Sequence, residues 1–239
     1  MTWRGPVVVT GTDTGVGKTV ATAGIAAVAS AAGLRVAVVK PAQTGTRAGE
    51  ESDVDTVRRL AAPATARTLA EYPEPLAPLA AARVAGMPPL RLADVADAVR
   101  AEAYSHDLVV VEGAGGLLVP LGADGASVWT LADLAMVLGA PAVVVVRAGL
   151  GTLNHTALTL EALQRRGIPS CLVIGAWPAV PELVHLSNFV SLAPELAGVL
   201  PDGAGALDAG VFGRSAPGWF TPLLYGAVDD VREWLDEVS

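Results

Sequence analysis

The sequence predicts an α/β fold in which helices cover both faces of one parallel β-sheet, and two observations support this. Short apolar runs alternate along the chain with longer segments that have the apolar spacing of helices. These runs are apolar at every position and not only at every second one, as expected for strands that are buried on both faces. Only 5% of residues are aromatic although 52% are hydrophobic, so we expect a core of Ala, Val and Leu. We assign residues 1–239 to this single domain.

The first strand and the turn after it form the most informative stretch. The run Val7-Val8-Val9 leads into Gly11-Thr12-Asp13-Thr14-Gly15-Val16-Gly17-Lys18-Thr19, and an alanine-rich helical segment follows. This order of strand, Gly-rich turn and Lys-Thr is typical of a phosphate-binding P-loop, although the strict pattern has Gly at position 12. Glycines let backbone N–H groups approach phosphate oxygens, and the helix N-terminus adds its positive dipole end. Lys18 can neutralise phosphate charge, and the Thr19 hydroxyl can hold Mg²⁺.

The remaining elements follow in order from periodicity and from the Gly and Pro residues at their ends. Helices are predicted at residues 20–32, 52–60, 79–84, 92–104, 130–138, 154–166 and 227–238. Further strands are predicted at residues 35–40, 107–112, 142–146, 171–175 and 196–200. Lys40-Pro41 would end the second strand and open a polar loop. Residues 63–90, apart from the short helix, are interpreted as a surface excursion, and residues 201–222 as a Gly/Pro-rich loop.

Polar residues follow each of the first three predicted strands. They occupy positions 14–19, 40–46 and 112–116. Because ligands of parallel α/β sheets bind at the carboxyl ends of the strands, these clusters predict one shared crevice.

Four candidate groups carry more than one interpretation. Glu112 ends an apolar strand before a glycine run, where P-loop enzymes hold Mg²⁺, but it could be a solvated strand end. Lys40 could be solvated too, or could stabilise a substrate that becomes anionic. Asp53 could bind a metal or cap a helix, and the sequence favours the cap. Leu150-Gly151-Thr152-Leu153-Asn154 precedes a helix whose free N–H groups could bind a carboxylate, or could be capped by a side chain of the same stretch.

Charge and the N-terminal sequence limit the partners and the location. The formal net charge of −8 argues against a nucleic-acid surface, which needs a basic footprint. The chain enters its first strand without a signal-peptide apolar region, and no stretch has the length and composition of a membrane span. We therefore expect a cytoplasmic protein without nucleic-acid or membrane partners.

Five motifs together resemble the dethiobiotin synthetase family, in order and with similar spacing from residue 6 to about residue 175. They are Gly11–Thr19, Lys40-Pro41 with Thr44-Gly45, Ser52-Asp53, Val111-Glu112-Gly113-Ala114-Gly115-Gly116 and Leu150-Gly151-Thr152-Leu153-Asn154-His155. The resemblance implies an ATP- and Mg²⁺-dependent ligase of biotin biosynthesis. In that reaction an amine of 7,8-diaminopelargonic acid takes up CO₂ as a carbamate, which attacks the γ-phosphate of ATP. The second amine then closes the mixed anhydride to the cyclic urea, with release of ADP and phosphate.

The resemblance also implies roles for residues at matching positions. Lys18, Lys40 and Thr14 are implied as catalytic residues, and Thr19, Asp53 and Glu112 as Mg²⁺ ligands. The implied nucleotide-binding residues are Asp13, Gly15, Val16, Gly17, Lys18, Thr19 and Val20, with Gly175, Ala176 and Trp177 near the base. The implied substrate-binding residues are Thr14, Lys40, Thr44, Gly115, Gly116, Leu150, Gly151 and Asn154. Members of the family are homodimers in which the loop at Leu150–Asn154 closes the partner's substrate site.

Two departures from the family and one rival interpretation matter. Some members have Glu where this chain has Gly15. Others place after the fifth strand an Asn that can recognise adenine, where this chain reads Gly175-Ala176-Trp177, so we expect other nucleoside triphosphates to be accepted too. The rival is a partition or septum-placement ATPase that acts as a protein-binding switch. Such proteins carry a second lysine early in the P-loop, at the position of Asp13.

Overall fold

Seven parallel strands form the central sheet of the computed structural model, which describes residues 2–45 and 49–236. In chain order the strands are β1 (Gly5–Gly11), β2 (Val36–Thr44), β3 (Thr65–Tyr72), β4 (Leu108–Gly116), the hairpin strands β5 (Pro120–Asp124) and β6 (Ser127–Thr130), β7 (Ala142–Val146), β8 (Ser170–Trp177) and β9 (Leu196–Pro201). The central sheet has the order β3-β2-β4-β1-β7-β8-β9, and β5 and β6 pair separately. Because every pairing in the central sheet is parallel, the carboxyl ends of its strands lie along one edge.

Helices cover both faces of this sheet, which confirms the predicted fold class. The helices are α1 (Lys18–Ala31), α2 (Asp53–Ala61), α3 (Pro78–Val84), α4 (Leu92–Ala103), α5 (Leu131–Leu138), α6 (Thr152–Gln164), α7 (Leu183–Leu192), α8 (Ala209–Ser215) and α9 (Glu233–Asp236). In β1, Val7 and Val9 belong to the core under α1, α2 and α8, and Val8 to the core under α4–α7. Alternate valines of one strand therefore enter opposite cores, as expected for a strand buried on both faces.

The predicted helices at residues 20–32, 52–60, 79–84, 92–104, 130–138 and 154–166 are confirmed, with bounds within two residues. The strand at 142–146 is confirmed as predicted, and the other predicted strands are present. The structure also explains the start of α2, because the Ser52 hydroxyl accepts a hydrogen bond from the N–H of Asp55 at 3.1 Å. Ser52, and not Asp53, is therefore the N-cap of that helix.

The predicted end of β2 is wrong, because the strand continues through Pro41 to Thr44. The pairing with β4 ends at Val39, so beyond that residue β2 pairs with β3 alone. A proline is tolerated there because its missing N–H leaves no ladder bond to β4 unmade. The partner strand β3 lies in the predicted surface excursion. It is an edge strand and mostly half-buried, so it lacks the continuous apolar run of a central strand.

Several elements of the second half are also absent from the prediction. The hairpin β5–β6 turns at Gly125-Ala126, where Gly125 has φ +61°. Helix α7 was not predicted, and helix α8 lies in the predicted Gly/Pro-rich loop, where Phe212 is completely buried. The predicted terminal helix at 227–238 is wrong over most of its described length, since only Glu233–Asp236 is helical. Residues 237–239 lie outside the described part of the chain. None of the described helices has the length and apolar composition needed to cross a membrane.

Candidate functional site

The phosphate loop lies between β1 and α1, at the carboxyl edge of the sheet. Gly15 and Gly17 have φ of +66° and +95°, in the left-handed region that glycine adopts without strain. Gly17 is the N-cap of α1, and within the described residues no side chain caps this helix start and no acidic residue lies in its first turn. The first N–H groups of α1 are therefore available to an anion, and the dipole of a 14-residue helix favours one there.

Lys18 is the first residue of α1, and its side chain contacts the loop before the helix. Its Nζ donates a hydrogen bond to the carbonyl oxygen of Asp13 at 2.9 Å, and the residue is 8% exposed. Burial lowers the pKa of Lys18, and the nearby ammonium of Lys40 lowers it further. An anionic ligand would relieve both effects, because it supplies opposite charge to a cation that is poorly compensated in the free protein.

Lys40 lies at the centre of a buried cluster of charges. Its Nζ contacts Asp53 Oδ2 at 2.5 Å and Glu112 Oε1 at 2.8 Å, and donates to the carbonyl of Gly113 at 3.1 Å. The Thr19 hydroxyl donates to the same Glu112 oxygen at 2.9 Å. Burial alone would lower the pKa of Lys40, but the attraction of Glu112 and Asp53 outweighs it, so the pKa is raised.

The oxygen atoms around Lys40 also fit a magnesium ion. Burial would raise the pKa of Asp53, but attraction and hydrogen bonding from Lys40 outweigh it, so the pKa is lowered and the group stays ionised. The carboxylates of Asp53 and Glu112 already converge on one cation, and the Thr19 hydroxyl contacts one of them. Hard oxygen donors of this kind suit Mg²⁺, which is commonly held by one or two carboxylates together with substrate phosphates.

These groups surround one cleft of about 460 Å³. The predicted site residues that line it are Thr14, Gly15, Gly17, Lys18, Thr19, Val20, Lys40, Thr44, Asp53, Glu112 and Gly115. Ala42, Gln43 and Ala114 line it as well; they lie in the polar stretches predicted to form the crevice, but no role was predicted for them. Gln43 Oε1 also accepts a hydrogen bond from the N–H of Asp53 at 3.2 Å. The polar clusters after the three strands therefore form a single crevice, as predicted. The preference for Asp53 as a helix cap was wrong, because Ser52 caps α2 and Asp53 lines the crevice.

Arg147 is a residue of this region that the sequence analysis missed. It follows β7, and its Nη2 donates to Asp13 Oδ2 at 2.9 Å and to the Thr14 carbonyl at 3.3 Å. The pKa of Asp13 is lowered, mainly because its carboxylate accepts the N–H of Thr14 at 2.7 Å, and Arg147 contributes too. A lone arginine after an apolar strand carries no sequence signal for this contact.

The carboxyl end of β8 approaches the phosphate loop so closely that neither side has room for a side chain. A Cβ on Gly175 would collide with the carbonyl oxygen of Val16, and one on Gly17 would lie 2.7 Å from the Gly175 oxygen. Ala176 lines a second cleft beside the loop, of about 250 Å³. Trp177 is only 6% exposed, and its ring packs edge-on against Phe189 at 5.5 Å. Its ring is therefore part of the core, and its assignment to the nucleotide stays a prediction.

The remaining predicted residues lie beside the cleft or away from it. Gly116 pairs with Gly11 across β1 and β4. Leu150, Gly151 and Asn154 are in or next to the turn that opens α6, and the residues that line the main cleft do not include them. Leu150 is 91% exposed, and no side chain of the described residues caps α6.

Comparisons with known sequences show which proteins share this arrangement. A family model described as an AAA domain matches residues 6–204. The ATP-dependent dethiobiotin synthetase BioD of Streptomyces avermitilis is 53% identical over 93% of this chain and 94% of its own length. Proteins of the same name from Rhodococcus jostii and Saccharopolyspora erythraea are 53% and 54% identical, over 90% and 92% of this chain and 94% and 97% of their own lengths.

Comparisons with solved structures show the fold alone. The cell division ATPase MinD of Pyrococcus furiosus superimposes with a TM-score of 0.53 at 14% identity, over 98% of this chain and all of its own. A putative plasmid partition protein of Borrelia burgdorferi, bound to AMPPNP, gives 0.52 at 11% identity, over 99% of this chain and 96% of its own. The rival proteins therefore share the architecture, whereas about half of the sequence is shared with the synthetases. The chain belongs to the family of ATP-dependent dethiobiotin synthetases.

Proposed function

We propose that this protein carboxylates 7,8-diaminopelargonic acid with CO₂ and closes the product to dethiobiotin, with conversion of ATP to ADP and phosphate. The observation that carries the proposal is the convergence of two lysines and two carboxylates beside an uncapped helix start. A reaction that passes through a carbamate and a phosphorylated intermediate places several negative charges close together. Two fixed cations and a metal site in a cleft partly closed to water are suited to stabilise them.

In this proposal the triphosphate lies on the phosphate loop. Backbone N–H groups from Gly15 to Val20 hold its oxygens, and Lys18 neutralises charge at the phosphate that is transferred. The base would lie toward Gly175 and Ala176. This placement rests on the geometry of the loop, on the uncapped start of α1, and on the approach of β8 to the loop.

Thr19, Asp53 and Glu112 would hold Mg²⁺, which when bound neutralises charge on the phosphate oxygens. In the free protein Lys40 contacts both carboxylates, and we propose that it turns toward the carbamate when the substrates are present. Thr14, Thr44 and the backbone at Gly115 and Gly116 would bind the diamine end. Thr14, Thr44 and Gly115 line the same cleft as the two lysines, which supports this assignment.

A homodimer would complete the site. The turn at Leu150–Asn154 is exposed apart from Thr152, and it lies outside the main cleft of its own chain. It opens helix α6, which no side chain of the described residues caps. We propose that its N–H groups bind the substrate carboxylate in the partner's site. The cytoplasmic location and the absence of nucleic-acid and membrane partners stay predictions.

The decisive experiment measures phosphate release by the purified protein in the presence and absence of the diamine, bicarbonate and Mg²⁺. We expect release that requires all three, together with a product of the mass of dethiobiotin. The Lys18→Ala variant is the negative control. Phosphate release that ignores the diamine, or that needs a protein partner, would support the partition-type switch instead and contradict the proposal.

A further inference from the structure

The loop between β7 and α6 connects a buried amide to the phosphate loop. Asn188 of α7 is 6% exposed, and its Nδ2 donates to the carbonyl oxygens of Ala148 and Gly149 at 2.9 and 3.0 Å. Both hydrogens of this amide are therefore used on two successive peptide groups. The residue before them is Arg147, so the buried amide fixes the backbone from which the guanidinium extends.

Arg147 in turn holds the far side of the phosphate loop. It contacts the Asp13 carboxylate and the Thr14 carbonyl, while the other Asp13 oxygen accepts the N–H of Thr14. The backbone N–H and C=O of Thr14 are thus both engaged already, by Asp13 and by Arg147. This leaves the N–H groups that follow, from Gly15 onward, to face a phosphate chain.

We propose that Arg147 and Asn188 are positioning residues for the phosphate loop, acting as a brace that runs from α7 through the β7–α6 loop to Asp13 and Thr14. The inference rests on the proposed binding of a triphosphate by this loop. The brace keeps the loop in its open shape before the nucleotide arrives, so less ordering is needed on binding. Arg147 lines the small cleft beside Ala176, but in this proposal it acts on the phosphate chain through Asp13 and Thr14, and Asn188 acts through the backbone at Ala148 and Gly149.

The Arg147–Asp13 ion pair is exposed to solvent, so an effect on phosphate binding can be told apart from an effect on stability. The Arg147 and Asp13 side chains are 52% and 47% exposed, and exposed ion pairs add little to the free energy of unfolding. Loss of the pair should therefore leave the melting temperature almost unchanged. Its effect should fall on the affinity for the phosphate chain, where loop geometry matters.

Two probes test the proposal: Mg²⁺-ATP and inorganic tripolyphosphate, which has the phosphate chain without the nucleoside. For Arg147→Met we expect the Kd of both to rise about tenfold, the size of one charge-assisted hydrogen bond. The KM for ATP should rise similarly, with kcat within about twofold of wild type and the melting temperature within about 2 °C. Arg147→Lys should recover most of the affinity, because it keeps a cation within reach of Asp13. Arg165→Met, which removes an exposed ion pair to Glu161, is the matched control and should change none of these values.

Asp13→Asn distinguishes positioning from simple charge attraction. The amide oxygen of Asn can still accept the Thr14 N–H, but the charge that binds Arg147 is lost. A brace predicts weaker phosphate binding in this variant, with no further loss in the double variant with Arg147→Met. If Arg147 acts only as a nearby positive charge, removing the negative charge of Asp13 should strengthen binding instead, and that result would overturn the proposal.

Asn188→Leu tests the other end of the brace and should raise the Kd of tripolyphosphate in the same direction. If this variant does not fold, the Arg147 and Asp13 variants still decide the question. A different result is expected if the proposed enzymatic function is wrong. Wild-type protein would then bind tripolyphosphate yet show no diamine-dependent turnover, whereas an active wild type with an unaffected Arg147→Met variant refutes the brace alone.

Discussion

Replacing Lys40 by Met should destabilise the protein strongly when no divalent cation is present. Lys40 and Glu112 have side chains that are 4% and 2% exposed, and Asp53 is 34% exposed. Removing one partner of a buried ion pair leaves an uncompensated charge and costs about 3–5 kcal/mol. Asp53 can regain water, so the lower end, about 3 kcal/mol, is the appropriate figure. For a protein of 239 residues this corresponds to a fall in melting temperature of roughly 6–12 °C.

Magnesium should reverse much of this loss, because it can replace the missing ammonium between the two carboxylates. In wild type the ion must compete with Lys40, so the Lys40→Met variant should bind Mg²⁺ about tenfold more tightly. Calorimetric melting in EDTA and in Mg²⁺, with an Mg²⁺ titration of each protein, measures both effects without any assay of activity.

Lys18→Met provides the matched control within the same cleft. Lys18 is also buried, but among the described residues its Nζ bonds a carbonyl and no carboxylate, and burial lowers its pKa. Its removal should leave the melting temperature in EDTA unchanged or raise it slightly. The reasoning would be refuted if Lys40→Met melts within about 2 °C of wild type in EDTA. It would also be refuted if Mg²⁺ stabilises Lys40→Met and wild type equally.

Other consequences of the site can be measured independently. Lys18→Ala should abolish turnover, because it removes charge stabilisation of several kcal/mol, while circular dichroism and melting stay those of a folded protein. Mixing inactive Lys18→Ala with an inactive variant of the Leu150–Asn154 turn should restore partial activity if dimers share their sites, whereas a fully active monomer contradicts this. Because the pKa of Lys40 is raised in the folded protein, its charge contributes fully to stability below the unfolded pKa of 10.5. This contribution is lost as pH rises through the higher folded pKa. The difference in melting temperature between wild type and Lys40→Met should therefore be constant below pH 10.5 and shrink above it. With no side chain at Gly175 to pair with adenine, kcat/KM for CTP or GTP should lie within about tenfold of that for ATP, and a preference of several hundredfold for ATP would show otherwise.

The sequence predicts the elements whose physics is local. Short β-branched runs such as Ala142–Val146 favour buried strands, and a Gly-rich turn between a strand and a helix that starts at Lys18 is typical of a phosphate loop. Lys40 and Glu112 were recognised because each ends the apolar run of its strand, although β2 and β4 continue to Thr44 and Gly116. The carboxyl ends of parallel strands lie together. Edge strand β3 and helix α8 were missed, because half-buried or Gly-containing segments are stabilised by neighbours that sequence alone does not show.

The partners of individual side chains are the part that the sequence could not give. Asp53 lies one residue after the true cap, so a local rule favours capping, yet its carboxylate contacts Lys40 of strand β2. Arg147 and Asp13 are separated by 134 positions in the chain. Such contacts depend on the order in which strands are arranged in the sheet, and that order places β7 directly beside β1.

The close approach of β8 to the phosphate loop explains why glycine is required both at position 17 and at position 175, which are far apart in the sequence. Gly17 is required by its left-handed φ and also because a Cβ would crowd the Gly175 oxygen. Gly175 is required in turn because a Cβ would collide with the Val16 carbonyl. An adenine-recognising Asn at position 175 would therefore force the phosphate loop to move. In this chain the shape of the loop and the glycine at position 175 have one cause, so a side chain added there to select a base should also displace the phosphate loop.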